Sequence, residues 1–204
     1  MVTRWWLPCL LACLWLQPAV AGASPDHLRS IRILHWQHGD LQPHPACTTW
    51  ATHYRDQPAW VTAAHCVPAG ETFSVSGVGV IAVRVDMALD IAILRGGPSA
   101  SPLFVAFGVP DLRRAVWSAG FPFGYPVPHI VGGLFSGLSH TGIGLWSVPS
   151  APGMSGSPIL DAKDGAVVGM ITQNECELPI WCAFSLGPPA TTLRRLLFGP
   201  SESR

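Results

Sequence analysis

Three short stretches of this chain carry side chains whose types suit a shared chemistry. They are Thr62-Ala63-Ala64-His65-Cys66, then Asp90-Ile91-Ala92-Ile93-Leu94, then Gly153-Met154-Ser155-Gly156-Ser157-Pro158. A hydroxyl, an imidazole and a carboxylate are the groups that acyl transfer by a serine requires. The hydroxyl attacks a carbonyl, and the imidazole takes its proton. The carboxylate fixes the imidazole tautomer and stabilises its charged form. Glycines on both sides of Ser155 suit the nucleophile. Gly153 lets the backbone turn tightly so that amide N–H groups face a carbonyl, and Gly156 leaves room for a chain to approach.

Each group has a plainer alternative. Gly-x-Ser-Gly is common in ordinary turns. His65 could be a core histidine beside a disulfide, and Asp90 could cap a strand. Asp86 rivals Asp90 but has no apolar run directly after it. Ser157 rivals Ser155 but lacks the glycine frame. His35, His38 and His44 lie close together, yet their spacing matches no standard ligand pattern, so no metal site is expected there.

The elements that must position these groups are mostly strands. Thr-, Trp- and Val-rich runs at 46–52 and 59–62 read as paired strands, the second running into His65. Others are expected at 31–36, 73–85 (with a turn or bulge at Gly77 and Gly79), 91–94, 115–119, 129–136, 143–148 and 182–186. Residues 157–160 and 166–172 form a hairpin around Asp164-Gly165. Residues 96–110, rich in Gly, Ser and Pro, read as a crossing between two lobes. One helix is expected over 189–198, with Pro189 near its start and Leu193, Leu196 and Leu197 on one face.

Composition narrows the classes. The chain has 204 residues, 49% hydrophobic and 12% charged, with no formal net charge. That is enough apolar material for a sizeable core, and it argues against disorder. Basic residues reach only pairs such as Arg113-Arg114, so no nucleic-acid partner is expected. At the N-terminus, Arg4 precedes an apolar run from Trp5 to Leu16, and Ala21-Gly22-Ala23 supplies a small-x-small cleavage pattern. Residues 1–23 read as a signal peptide cut after Ala23, with a secreted or periplasmic product. A retained anchor is the alternative, but the run is short and broken by Pro8 and Pro18. Leu11-Ala12-Cys13 is like a lipidation box, except that the apolar stretch continues past Cys13. Cleavage leaves Cys47, Cys66, Cys176 and Cys182, which allow three pairings; the sequence-local one is the simplest.

The histidine stretch, Thr62-Ala63-Ala64-His65-Cys66, resembles the histidine motif of the trypsin/chymotrypsin-like serine peptidases. The Asp90 and Ser155 stretches are similar to that family's other two motifs, in the same order. The resemblance covers roughly residues 31–198. It implies an all-β chain of two six-stranded antiparallel barrels, at about 31–105 and 112–188, with the C-terminal helix after them. It implies catalytic His65, Asp90 and Ser155, and an oxyanion hole from the amides of Gly153 and Ser155. Pro149, Ser150, Thr172 and Asn174 would line the primary pocket, and Thr172 sits where the family has a serine supporting the aspartate. Cys47 would pair with Cys66. The substrate would be a protein or peptide, with no cofactor. No membrane contact is expected after signal removal; the oligomeric state is left open.

Two departures matter. Met154 replaces the aspartate that, in digestive members, pairs with a freed N-terminus. Ser150 and Ala151 show no cysteine ahead of the serine. Both bring the chain closer to the bacterial branch, with its glutamyl endopeptidases and HtrA protease lobes. Met154 implies a serine turn ordered by packing and active without a second cut. A catalytically silent binding protein on the same fold, or a tethered protease, are the contrasting expectations.

Overall fold

A computed structural model describes residues 24–39, 42, 44–175 and 183–199. The signal segment and the expected Cys176–Cys182 bridge lie outside the described residues.

Six strands form the first lobe: β1 (Ile31–Gln37), β2 (His44–Tyr54), β3 (Gln57–Thr62), β4 (Thr72–Val75), β5 (Val78–Asp86) and β6 (Ile91–Gly96). They close into a barrel in the order β1-β2-β3-β6-β5-β4, every pair antiparallel. Two-residue turns set the hairpins. Arg55 and Asp56 both take left-handed φ values, 49° and 60°, as do Ser76 and Gly77 at 50° and 77°. Such turns match the twist of the flanking strands. The single pattern expected over 73–85 is thus two strands, with the turn one residue earlier than the glycines suggest.

The second lobe contains β7 (Ala115–Gly120), β8 (His129–Leu138), β9 (Gly144–Trp146), β10 (Pro158–Asp161), β11 (Val167–Met170), β12 (Gln173–Glu175) and β13 (Phe184–Gly187). Its sheet runs β11-β10-β7-β8-β9-β13-β12. Seven strands appear where six were expected, because the strand expected over 166–172 ends at Met170 and a further short strand, β12, follows it. Only Ile171 and Thr172 separate β11 from β12, the two edges of the sheet. Ile171 N–H donates to Ser157 O (2.9 Å), beside β10, and Thr172 N–H donates to Leu186 O (2.9 Å) in β13. The sheet therefore curls until its edges meet end to end.

Helix α1 (Pro25–Arg29) precedes the barrel, where only a polar lead-in was expected. Its five residues show no periodicity; the signal for it is Ser24, whose hydroxyl caps His27 N–H, followed by proline. Helix α2 (Ala190–Phe198) buries Ala190, Leu193, Leu196 and Leu197 and stops at Gly199, φ 86°. The helix face belongs to an apolar cluster that also takes Trp50, Ile91 and Ile93 from the first lobe and Trp117, Leu160 and Val167 from the second. That shared cluster fixes the two lobes against each other. The crossing segment is tied to both: Leu103 N–H donates to Ala51 O, and Ala106 N–H donates to Val167 O.

Candidate active site

His65 sits in a single 3-10 turn, Ala64–Cys66, directly after β3. Its neighbour Cys66 is disulfide-bonded to Cys47 on β2, so the turn is fastened to the barrel wall. Asp90 ends the turn between β5 and β6 and holds a left-handed φ of 51°, a conformation that Asp tolerates better than most residues. Its two oxygens grip His65 at two points: Oδ1 accepts from the backbone N–H (2.9 Å) and Oδ2 from ring Nδ1 (2.8 Å). A carboxylate only accepts, so Nδ1 carries the proton and Nε2 of the neutral ring presents a lone pair. The ring is 45% exposed, open to a proton donor from solvent or substrate. Burial pushes the Asp90 carboxyl up. The hydrogen bonds from the His65 ring and backbone outweigh it and hold the group below its ordinary value. Asp86 is used otherwise: its Oδ1 accepts from Leu89 N–H (3.1 Å) and shapes the turn that delivers Asp90.

The serine turn has no regular structure, yet its peptide groups are fixed one by one. Pro152 O accepts from Phe123 N–H (2.6 Å), and Met154 O from Ser157 N–H (2.9 Å). Gly153 O accepts from the Thr48 hydroxyl (2.9 Å). Ser155 O accepts from Thr48 N–H (2.9 Å). In a trans peptide the C=O and N–H point in opposite directions. Pinning the carbonyls of Pro152 and Met154 therefore aims the amides of Gly153 and Ser155 the other way. Those two amides donate to no described residue, whereas Met154, Gly156 and Ser157 donate to Ala151, Ile171 and Met154. Among the described residues neither amide has a partner, and they belong to Ser155 itself and to the glycine two positions before it.

The two serines differ sharply. Ser157 is fully buried, its hydroxyl enclosed near Gly120 without a described partner. Ser155 is partly exposed. The turn is docked on the histidine-bearing lobe: a Cβ at Gly156 would collide with Thr48 O and Thr62 Oγ1, three residues before His65. Met154 is fully buried among Val116, Phe135, Trp146, Ile159 and Ile171.

Among the residues expected at the primary pocket, Ser150 is fully buried and Pro149 half-buried. Thr172 is buried, and its hydroxyl donates to Leu186 O (3.4 Å) while the residue lines a cavity of about 340 Å³ together with Asp90. The Asn174 backbone belongs to β12. A larger cavity, about 980 Å³, opens beside His65 and is walled by Val67, Phe73, Ile81, Val85 and Met87. Among the described residues one group has metal-ligand types in reach of one another: Cys47, His65 and Cys66, with ligand atoms within 4.8 Å. Both sulfurs are in the disulfide, so no thiolate is left to bind a cation. Thr48 and Phe123 escaped the sequence reading. A threonine inside a β-rich run and an aromatic in a Pro/Gly-rich loop carry no motif, and their roles depend on backbone groups more than a hundred and about thirty positions away, respectively.

The family model described as the trypsin-like peptidase domain matches residues 48–170. No curated protein matches the sequence. Among solved structures, a serine endoprotease from Yersinia pestis is similar in fold, with a TM-score of 0.69 at 12% identity, covering 87% of this chain and 65% of that one. The HtrA-type protease AlgW with a decapeptide gives a TM-score of 0.70 at 14% identity, covering 89% of this chain and 69% of that one. The chain thus spans about two thirds of the length of each.

Proposed function

The chain belongs to the trypsin-like peptidase domain family, and on that premise we propose that it is an exported serine endopeptidase with His65, Asp90 and Ser155 as its triad. The observation that carries the reading is the two-point hold of Asp90 on His65, which leaves Nε2 as the base. Ser155 Oγ attacks the scissile carbonyl as Nε2 takes its proton. The developing oxyanion is met by the amides of Gly153 and Ser155; one such donor is worth on the order of 3 kcal/mol of transition-state stabilisation. His65 then gives the proton to the leaving amine, which departs as the acyl-enzyme forms. Water, deprotonated by the same Nε2, releases the acid and restores Ser155. No step calls for a cofactor.

The substrate is a protein or peptide. Pro149 and Ser150 place no carboxylate at the pocket floor, so uncharged side chains are favoured over Arg or Lys. Export rests on the signal pattern of residues 1–23, and a disulfide beside the catalytic histidine suits an oxidising compartment.

The test is labelling of residues 24–204 with a fluorophosphonate probe, followed by mapping of the modified peptide. Modification of Ser155, abolished in Ser155→Ala and His65→Ala, is expected. An unlabelled but folded protein would indicate a silent binding domain. Peptide-library cleavage read by mass spectrometry checks the pocket: strict preference for Arg, Lys or Glu would overturn it.

A further inference from the structure

We infer that Thr48 is a positioning residue for the oxyanion hole, acting from the opposite lobe through its side-chain hydroxyl. The inference rests on the peptidase reading above. Thr48 lies on β2, fully buried, next to the disulfide cysteine Cys47. Its hydroxyl donates to Gly153 O (2.9 Å) and accepts from Phe121 N–H (3.1 Å). Its backbone N–H holds Ser155 O (2.9 Å), and its carbonyl accepts from the Thr62 hydroxyl (2.8 Å). One residue of the first lobe therefore pins the carbonyls on both sides of Met154. Through Phe121 it also steadies the segment whose Phe123 N–H pins Pro152 O (2.6 Å). The Pro152 carbonyl orients the Gly153 amide, since the two share a peptide plane.

The approach is built for close quarters. A Cβ on Gly120 would lie 3.0 Å from Thr48 Oγ1 and 3.3 Å from Met154 Cγ. Removing the hydroxyl leaves Gly153 O and Phe121 N–H without that partner in a site too tight for repacking. The turn is then free to rotate its peptide planes, and the two amides lose their common aim. Substrate binding through the pocket does not depend on that aim; transition-state stabilisation does.

The experiment compares Thr48→Val, which keeps shape and drops the hydroxyl, with Thr48→Ser, which keeps the hydroxyl. Rates are expressed per titrated Ser155, so an unfolded fraction does not enter. For Thr48→Val, kcat should fall roughly ten- to a hundredfold, somewhat less than outright loss of a donor, with KM within about twofold. A peptide aldehyde, whose adduct places an oxyanion in the hole, should lose affinity by a similar factor. Thr48→Ser should stay within about threefold of wild type on both measures. Undiminished kcat in Thr48→Val, an effect confined to KM, or an equal loss in Thr48→Ser would overturn the inference. If Thr48→Val yields no folded protein, Thr48→Ala takes its place with the same expectations. A wild type that neither labels nor hydrolyses would instead remove the peptidase reading itself.

Discussion

The two lobes support their parts of the site in opposite ways. The first lobe fixes the His65–Asp90 pair with its own means: a closed barrel, a disulfide beside the histidine and a carboxylate that grips ring and backbone together. The second lobe presents Ser155 on an irregular turn with left-handed glycines at 153 and 156. It borrows two of that turn's anchors from the other lobe, at Thr48. The His65–Asp90 pair is thus a local product of one barrel. The Ser155 turn, by contrast, takes two of its anchors only when both lobes are docked.

The largest test of this contrast is Asp90→Asn. Asn suits the left-handed backbone at this position, so the fold is kept while the ring loses its charged acceptor and its preferred tautomer. We expect kcat to fall about ten-thousand-fold with little change in the urea midpoint. A mild kinetic effect would show that the first lobe's pair is not what sets the rate.

Met154→Ala comes next and addresses the second lobe. The side chain is fully buried in that lobe's own cluster, and truncation should cost about 2–5 kcal/mol of stability. Activity per folded molecule should fall too, because the turn's floor is removed. Full activity with lost stability would mean that Thr48 and Phe123 suffice to hold the turn.

Removing the bridge by Cys47→Ser with Cys66→Ser should cost on the order of 3 kcal/mol on a chain-entropy estimate. The loss falls on the first lobe, so differential hydrogen exchange should rise around His65 before it rises around Trp146 and Val168. Uniform loss would show that the lobes unfold as one unit and that their support is less separate than the contacts suggest.

The smallest expected effect is the acid dependence, to which each lobe brings one depressed carboxyl among the described residues. In the second, burial pushes the Asp161 carboxyl up. The paired hydrogen bonds from Arg114 (2.7 and 3.0 Å) and the Lys163 N–H outweigh this and hold it below its ordinary value. Asp90 is depressed likewise. A carboxyl depressed in the folded state binds its proton more readily when unfolded. Its contribution is therefore complete above the ordinary carboxylate range and is lost as pH falls through the folded value. Urea midpoints measured downward from neutral pH should show this. Asp161→Asn should flatten the acid limb slightly and leave the activity profile in place.

Much of this arrangement is legible in the chain itself. The strand runs, the crossing, the α2 helix and the His65, Asp90 and Ser155 stretches depend on local pattern, which a sequence displays directly. Asp86 and Ser157 are set apart from Asp90 and Ser155 in sequence only by their immediate neighbours. The structure adds a cause, since Asp86 shapes the turn before Asp90 and Ser157 is sealed from solvent. The short strand β12 after Met170, the capped turn at Pro25–Arg29 and the role of Thr48 are hidden. Each depends on partners distant in sequence or on too few residues to show a period.

Met154 has a last consequence. A serine turn ordered by an ion pair answers to charge: it loosens as salt screens the pair, with a Debye length of about 10 Å at 0.1 M, and it waits for a cut that frees an ammonium. A thioether packed among Val116, Phe135 and Trp146 carries no charge to screen. The same turn should hold its order from dilute buffer to high salt and with a few extra residues ahead of Ser24. A turn held this way has no ionic latch at Met154 to release, so limits on activity would have to come from access to substrate or from inhibitors.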